Sequence, residues 1–155
     1  MEKTYAGFWL RFVAIIIDGI IIGVLQFVVI APILAAIGIG ISSGASAIDS
    51  EDPTAMIAKA MAIFSTVGLI GQVVNILYFT LMESSKYQAT IGKLALGLIV
   101  TDVNGGKLDF VKALIRNVSK IVSGIILLIG YIMAAFTEKK QALHDIIAGT
   151  LVVKK

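Results

Sequence analysis

The chain opens with a long apolar run that few polar residues interrupt. Between Phe8 and Ile41 three strongly polar side chains occur: Arg11, Asp18 and Gln26. A helix needs about 20 apolar residues to cross the hydrocarbon core of a bilayer. The pattern therefore predicts a first membrane span over residues 8–30, with Pro32 marking a kink or an end and a small-residue extension over residues 33–48.

A second apolar run follows an acidic cluster made of Asp49, Glu51 and Asp52. The pair Asp52-Pro53 is typical of a helix N-terminus, because the carboxylate accepts from free backbone N–H groups and proline suits the first turn. We expect a second span over residues 53–82, antiparallel to the first. It ends where Glu83 and the following polar residues return the chain to water.

A third apolar region covers residues 110–136, but it is short and Ser123-Gly124 interrupts it. A single full crossing would place the basic C-terminal tail outside the cell. We therefore expect a bent helical hairpin that enters the membrane and returns, leaving both termini in the cytoplasm.

Short polar and β-branched segments predict a small sheet. Thr90 is expected to cap a short helix that ends at Leu96. Residues 99–103 and 106–109 flank Asn104-Gly105, a pair that suits a type I′ turn and predicts a β-hairpin, to which residues 150–153 could add a third strand. An open sheet edge cannot face lipid, so the sheet should lie in the cytoplasm.

Composition and charge placement agree with these elements. The chain has 155 residues, 58% of them hydrophobic, and a mean hydropathy of +0.98, which excludes an ordinary soluble domain. The acidic cluster lies between the spans, whereas Lys and Arg crowd residues 86–120 and 139–155, the asymmetry of the positive-inside rule. The first apolar run is too long for a signal peptide. We expect a multi-pass protein of the prokaryotic cell (inner) membrane with a cytoplasmic N-terminus.

The predicted fold is thus an all-α membrane protein. It is a small helical transmembrane bundle with a short cytoplasmic β-hairpin or small sheet, in a single domain over residues 1–155. Two spans rarely enclose a path alone, so we expect a homo-oligomer.

Arg11 and Asp18 are the charges that membrane burial makes most informative. They are seven residues apart, so they share one helix face at a separation of about 10 Å along the axis. A charge at membrane depth must be paired or wetted, which leaves two alternatives for Asp18. It either forms a structural ion pair or hydrogen bond, or it handles an ion or a proton; Arg11 alone could snorkel to lipid phosphates.

Two further polar patterns follow helical spacing. Ser65, Gly68, Gln72 and Asn75 predict a polar seam along the second span, which would serve a proton or cation path but equally interhelical hydrogen bonding. Lys112, Arg116 and Lys120 recur every four residues and predict a basic stripe that binds anionic lipid headgroups. Aromatic residues are not interleaved with this stripe, which argues against nucleic acid as a partner.

His144-Asp145 is a titratable pair at the predicted membrane edge. One histidine without a second strong ligand is weak support for a metal, and the chain has no cysteine. We expect Asp145 to cap a helix or to pair with Arg11 or Arg116. The sequence contains no recognisable set of nucleophile, base and orienting residue, so we expect no catalytic residues, metal or cofactor, and hence no enzyme.

Several of these residues, taken in order, resemble one family. The matching pieces are Tyr5-Ala6-Gly7-Phe8-Trp9-Leu10-Arg11 with Ala14 and Asp18-Gly19, then Thr90-Ile91-Gly92-Lys93, Gly97, Val100, Gly105-Gly106, Ala113 and Arg116, then Leu143-His144-Asp145, Ala148-Gly149-Thr150 and Val152-Val153. Together they resemble the RDD family of prokaryotic membrane proteins, named for one arginine and two aspartates. Arg11, Asp18 and Asp145 take those positions. Ile91 stands where the family often has proline.

The resemblance implies transport, since some members are linked to exchange of sodium or other monovalent cations for protons. The leading hypothesis is a small cation/proton transporter or permeation protein, in which Asp18 binds a proton, Na⁺, K⁺ or Li⁺ and Arg11 tunes its charge state. The alternative is a non-transporting membrane scaffold or assembly protein that binds anionic lipid.

Overall fold

A computed structural model describes residues 4–36, 52–125 and 129–155 of the chain. The elements in chain order are α1 (Phe8–Ala36), α2 (Pro53–Glu83), α3 (Ile91–Ala95), β1 (Leu98–Asp102), α4 (Phe110–Ile125), α5 (Ile129–Phe136), α6 (Leu143–Ile147) and β2 (Thr150–Lys154). The expected extension beyond residue 36 and the acidic residues Asp49 and Glu51 lie outside the described residues.

Within the described ranges, two helices are long and apolar enough to cross a membrane, as judged by length and composition. α1 has 29 residues and α2 has 31, which correspond to about 44 Å and 47 Å of helix against a hydrocarbon core of about 30 Å. The N-terminus of α2 confirms the predicted cap, because the Thr54 N–H donates to Oδ1 of Asp52 over 2.9 Å.

Of the two expectations for Pro32, a kink or an end, the end is wrong. α1 continues through Pro32 to Ala36. A proline inside a helix removes one hydrogen bond, here to the carbonyl of Val28, and membrane helices tolerate that loss. Apolar residues on both sides of Pro32 let the helix go on.

The described residues divide into two compact units. One unit runs from Ile22 to Asn75, and within it the Gln26 side chain of α1 donates from Nε2 to the carbonyl of Gly71 in α2 over 2.9 Å. The other unit joins both ends of the sequence, because it combines the N-terminal segment up to Ile21 with residues from Ile76 to Lys155. The sheet and the clusters of buried charges belong to this second unit, called the terminal unit below.

The sheet has two antiparallel strands, β1 and β2, paired from Leu98 opposite Lys154 to Asp102 opposite Thr150. The N-terminal segment lies along the other edge of β2: the Ala6 N–H donates to the Val152 carbonyl and the Lys154 N–H to the Thr4 carbonyl, each over 2.9 Å. These bonds place the N-terminal segment and the C-terminal strand side by side in one sheet.

The small sheet was expected, but the hairpin within it was wrong. Residues 106–109 form no strand. Asp102 instead closes a turn, since its Oδ1 accepts from the N–H groups of Asn104 (2.9 Å) and Gly106 (2.7 Å). Asp109 then accepts from the Lys112 N–H at the start of α4, which leaves too few residues for a returning strand. The partner of β1 comes from the C-terminal tail.

A small apolar core supports this sheet. Its buried members are Ala6, Leu98, Val100, Leu108, Ala113 and Val152. They join the N-terminal segment, both strands and the first turn of α4. The sheet therefore holds the start of α1 and the start of α4 together.

Two helices, α4 and α5, occupy the third apolar region. They pack closely: a Cβ atom added to Gly130 would lie 2.8 Å from the Cβ of Ser123. β1 precedes this pair and β2 follows it, and the two strands are hydrogen-bonded to each other. The segment that holds α4 and α5 therefore begins and ends at the same sheet. Insertion of this helix pair into the membrane stays a prediction.

Candidate functional site: two buried carboxylate centres

Asp18 is the first buried centre, and uncharged donors surround its carboxylate. Oδ1 accepts from the Gly92 N–H over 2.8 Å and from the Tyr78 hydroxyl over 3.1 Å, and Oδ2 accepts from the Thr90 hydroxyl over 2.5 Å. The residue is 1% exposed. Asp18 therefore ties α1 to the end of α2 and to the start of α3.

Thr90 was expected to cap α3 with its side chain, and this is a correction. It does occupy the N-cap position, but it makes no side-chain cap bond. Its hydroxyl is directed to Asp18 instead, because the carboxylate is the stronger acceptor within reach.

Gly92 allows the backbone of α3 to approach α1. A Cβ atom at this position would lie 2.3 Å from the carbonyl oxygen of Ala14 and 2.8 Å from Cγ of Asp18. Both distances are far inside van der Waals contact, so a side chain would push the two helices apart. Glycine is required here for close approach.

Asp145 is the second buried centre, and it differs from Asp18 in its partners. Arg11 of α1 forms an ion pair with its Oδ2, while Nε and Nη2 of Arg116 in α4 each lie 2.8 Å from its Oδ1. The Ala142 N–H also donates to Oδ2 over 3.1 Å, which caps α6. Both structural roles that the sequence predicted for Asp145, capping and pairing with arginine, are confirmed.

Arg11 is committed to this second centre. Besides Asp145, its guanidinium donates to the carbonyls of Ala6 (3.0 Å) and Lys140. Arg11 and Asp18 are both buried, as their common helix face predicts, yet the bonds of Arg11 lead to Asp145 rather than to Asp18. Snorkelling to lipid phosphates is therefore not the role of this side chain.

Charge controls the protonation of Asp145. Burial raises the pKa of its carboxyl, but the positive charges of Arg116 and Arg11 outweigh burial and hold that pKa below its ordinary range. Burial lowers the pKa of Arg116, but the negative charges of Glu83 and Asp145 outweigh burial and raise that pKa above its ordinary value. Both groups are charged at neutral pH.

Glu83 extends the ion pairs beyond Arg116. It is fully buried at the end of α2, where its Oε1 lies 2.6 Å from Nη1 of Arg116 and pairs with Lys93 of α3. Its Oε2 accepts from Nδ2 of Asn117 over 3.1 Å. Nζ of Lys120 lies 3.9 Å away.

We call this connected set the ion network; its members are Arg11, Asp145, Arg116, Glu83, Lys93 and Lys120. Four of the six are basic and two are acidic, so full ionisation would leave a net charge of +2. Burial lowers the pKa of Lys120 well below its ordinary value; the charge of Glu83 only partly offsets this, and Lys93 and Arg116 lower the pKa further. The Lys120 ammonium lies 3.7 Å from the centre of the Phe79 ring, which offers a cation–π contact.

The predicted basic stripe is divided by this arrangement. Lys112 is exposed, as a headgroup contact requires. Arg116 is 2% exposed and bonded to two carboxylates, which corrects the expectation that it binds lipid headgroups. Lys120 is mostly covered, with 17% of its side chain accessible.

The polar seam on α2 lies within the unit from Ile22 to Asn75. Ser65 and Gln72 are exposed, and Asn75 is half-buried. The Ser65 hydroxyl donates within its own helix, to the Ala62 carbonyl over 3.0 Å. The partners of Asp18 are thus Tyr78, Thr90 and Gly92.

Ser123, His144 and Asp145 stand in a row that resembles a hydrolytic triad in residue types. Oγ of Ser123 lies 3.4 Å from Nδ1 of His144, whose Nε2 lies 3.5 Å from Asp145. Ser123 is fully buried and its hydroxyl donates to the Ser119 carbonyl, so this arrangement presents no accessible nucleophile. Burial lowers the pKa of His144 to about 3, so the ring is neutral at physiological pH.

The described residues include no group of three or more His, Cys, Asp and Glu side chains that could hold a metal ion. The acidic side chains of the two centres are occupied by hydrogen-bond donors and cations of the chain itself.

Sequence reasoning missed five residues of these centres: Tyr78, Glu83, Thr90, Gly92 and Lys93. The sequence pattern predicts Glu83 at the point where the chain returns to water, and Lys93 in the first turn of a short helix. The available signal was the resemblance, because Thr90, Gly92 and Lys93 fall within its middle segment.

Comparisons with known proteins confirm the family resemblance found in the sequence. The model of the RDD family matches residues 5–149. A Bacillus subtilis (strain 168) protein named uncharacterized protein YxaI is 39% identical over 155 residues, all of both chains. Another protein from the same strain, named uncharacterized membrane protein YteJ, is 32% identical over 155 residues. The match covers 99% of this chain and 83% of that protein. No solved structure matches the chain.

Proposed function

We propose that this chain, which belongs to the RDD family, is a membrane protein that moves a monovalent cation or a proton, with Asp18 as the binding carboxylate. Its membrane character is supported by the family, by the printed name of one relative and by two helices of spanning length. The transport role is our proposal.

The observation that carries the proposal is the lack of a counter-cation at Asp18. Three carboxylates are buried in the described ranges: Asp18, Glu83 and Asp145. Glu83 and Asp145 are paired with lysine or arginine, whereas none of the ion pairs in these ranges includes Asp18. A buried carboxylate in a membrane helix is costly to keep charged without a cation, which makes it a candidate for binding a proton or a metal cation.

The groups around Asp18 suit such an exchange. The hydroxyls of Tyr78 and Thr90 donate to the carboxylate, but a hydroxyl can rotate and accept instead. Together with the carboxylate they form a set of oxygen atoms, the ligands that hard cations prefer. The Gly92 N–H would hold the Asp18 side chain in place both when it binds a proton and when it binds a cation.

Access to Asp18 is proposed to come from association of several copies. The two helices of spanning length are too few to enclose a path in one chain, and α1 and α2 carry many exposed apolar side chains. We therefore propose a homo-oligomer in the cell membrane, with cytoplasmic termini. Na⁺, K⁺, Li⁺ and protons are the candidate substrates.

Proton flux in proteoliposomes tests the proposal. Wild-type protein, Asp18→Asn and the exposed control Glu138→Gln are reconstituted, and internal pH is followed under imposed Na⁺, K⁺ or Li⁺ gradients. We expect cation-dependent flux with wild type and Glu138→Gln and its loss in folded Asp18→Asn. No flux above empty liposomes from folded wild type, or flux unchanged in Asp18→Asn, would reject transport through Asp18.

A second candidate function is a non-transporting scaffold, and the ion network favours it. The network joins α1, α2, α3, α4 and α6 through side chains of opposite charge. Exposed Lys112 is then available for anionic lipid. Under this hypothesis Asp18→Asn lowers thermal stability in detergent and there is no flux to lose.

A further inference from the structure

α4 is folded with its polar side inward and its apolar side outward. Its buried side chains include Arg116, Asn117, Ser119 and Ser123. Four apolar side chains at spacings of four, three and four lie on the opposite face and are 44–61% exposed: Val111, Ile115, Val118 and Val122. We call these four residues the outer face of α4. A helix on the surface of a water-soluble protein has the opposite distribution, with apolar side chains inward and polar side chains outward.

The inward bonds prevent α4 from rotating to bury its outer face. Arg116 is bonded to Glu83 and Asp145, and Asn117 is bonded to Glu83. A rotation would leave these buried charges without partners, which is strongly destabilising for each broken pair. The outer face therefore stays outward and needs an apolar environment.

The position of α4 in the terminal unit indicates which environment this is. Asp145 links α4 to Arg11, in the first turn of α1, and Glu83, which ends α2, links α4 to the other long helix. These links place α4 at the level where both candidate spans begin or end. On α1, Phe12 and Ile15, which follow Arg11 within about one turn, are exposed apolar side chains as well.

The connections of α4 and α5 limit how deep the pair can lie. Because β1 and β2 are paired, the segment between them begins and ends on one side of the membrane. α4 has 16 residues, about 24 Å of helix, which is less than the hydrocarbon core of about 30 Å. Gly130 lets α5 pack against Ser123 of α4, so the two helices form a hairpin of less than spanning length.

We propose that the outer face of α4 lies against lipid acyl chains of the leaflet on the side of the sheet, without crossing the bilayer. Lys112, exposed near the start of α4, reaches the phosphates of that leaflet. The inference depends on the membrane location of the chain and is independent of transport through Asp18.

Single-cysteine spin labelling tests this placement. The chain has no cysteine, so each variant carries one label without background. Val111→Cys, Ile115→Cys, Val118→Cys and Val122→Cys are labelled with a nitroxide and reconstituted in vesicles of phosphatidylcholine and phosphatidylglycerol. Asn104→Cys, exposed in the turn after β1, is the matched aqueous control.

Collision rates with oxygen and with a water-soluble nickel chelate separate the environments. At Ile115, Val118 and Val122 we expect oxygen collisions to exceed nickel collisions several-fold, with the ratio reversed at Asn104. High nickel accessibility at these positions would place α4 in water and overturn the proposal. Low rates for both reagents, or disulfide cross-links between copies at Val118→Cys, would assign the face to protein and also overturn it. Because this readout needs no flux, its result is separate from that of the transport assay.

Discussion

Arg11, in the first turn of α1, forms an ion pair with Asp145, which lies 134 positions later in the first turn of α6. Arg116 approaches the other oxygen of the same carboxylate. One buried anion thus joins the two ends of the chain to α4. Because burial removes water from all three groups, each charge depends on the others for its solvation.

Removal of the shared anion should strongly destabilise the fold. Asp145→Asn keeps the size of the side chain but leaves Arg11 and Arg116 buried beside a neutral amide. We expect a loss of about 3–5 kcal/mol in the free energy of unfolding. SDS-induced unfolding in mixed micelles measures it, with exposed Glu138→Gln as a control that should change little. A loss below about 1 kcal/mol would show that the pairs contribute little net stability.

Gly92 provides a test of the contact between α1 and α3. Gly92→Ala places a Cβ against the Ala14 carbonyl and the Asp18 carboxylate, so we expect a loss of about 2–4 kcal/mol from overpacking and a weakened hydrogen bond. Gly19→Ala is the matched control, because nothing lies within 4 Å of its added Cβ, and helix propensity should make it neutral or slightly stabilising. Equal effects of the two substitutions in the same unfolding assay would contradict the close approach.

Lys120 and Glu83 should respond very differently to neutralisation. Glu83 is paired with Arg116 and Lys93 and has Lys120 as a third, more distant cation. Lys120→Met removes the excess cation, so we expect a change within about 1 kcal/mol or a gain in stability. Glu83→Gln should cost about 3–5 kcal/mol, because it leaves the paired cations buried. A larger loss from Lys120→Met than from Glu83→Gln would overturn this assignment of charges.

Acid should weaken the fold through His144, which is the one histidine of the chain. Its pKa is lowered to about 3 in the folded protein by burial, against about 6.5 when unfolded, so the unfolded state binds the additional proton as the pH falls below 6.5. Between pH 7 and pH 5 this removes about 2 kcal/mol of stability. Asp145 contributes below this window, because its folded pKa is depressed and its unfolded pKa is about 3.9.

Unfolding measured at pH 5, 6 and 7 checks this dependence. His144→Phe keeps an aromatic ring beside Tyr131, whose ring centre lies 5.0 Å from that of His144, but it cannot bind a proton. The variant should show a shallower profile than the wild type, with Lys120, whose pKa is also lowered in the fold, as the remaining source of acid sensitivity. A slope equal to that of the wild type would assign the acid sensitivity to other groups.

The pairing of Thr4 and Ala6 with β2 predicts a topology that labelling can test. Thr4→Cys and Lys154→Cys, both exposed, should react with a membrane-impermeant maleimide from the same side in sealed vesicles. With cytoplasmic termini, both react in inverted vesicles and neither in intact cells. Reaction of the two cysteines from opposite sides would be incompatible with the hydrogen bonds between these segments.

The sequence by itself determined the elements whose cause is local. Apolar length determined α1 and α2, and Asp52-Pro53 determined where α2 begins, because a cap needs only the residues next to it. The sequence also predicted Arg11 or Arg116 as a partner of Asp145, but not that both arginines bind the same carboxylate. The local rule that proline ends a helix fails at Pro32, because the rule does not account for the apolar residues on both sides that let α1 continue.

Only the tertiary structure decided which distant residues meet. β1 pairs with β2 instead of with the segment after Asn104, because Asp109 caps α4 and the C-terminal tail returns beside the sheet. Spacing alone placed Arg116 in a stripe facing lipid, whereas its bonds to Glu83 and Asp145 turn that face inward. Helical periodicity defines a face but carries no information about which neighbour covers it. That choice depends on where buried charges find their partners across the whole fold.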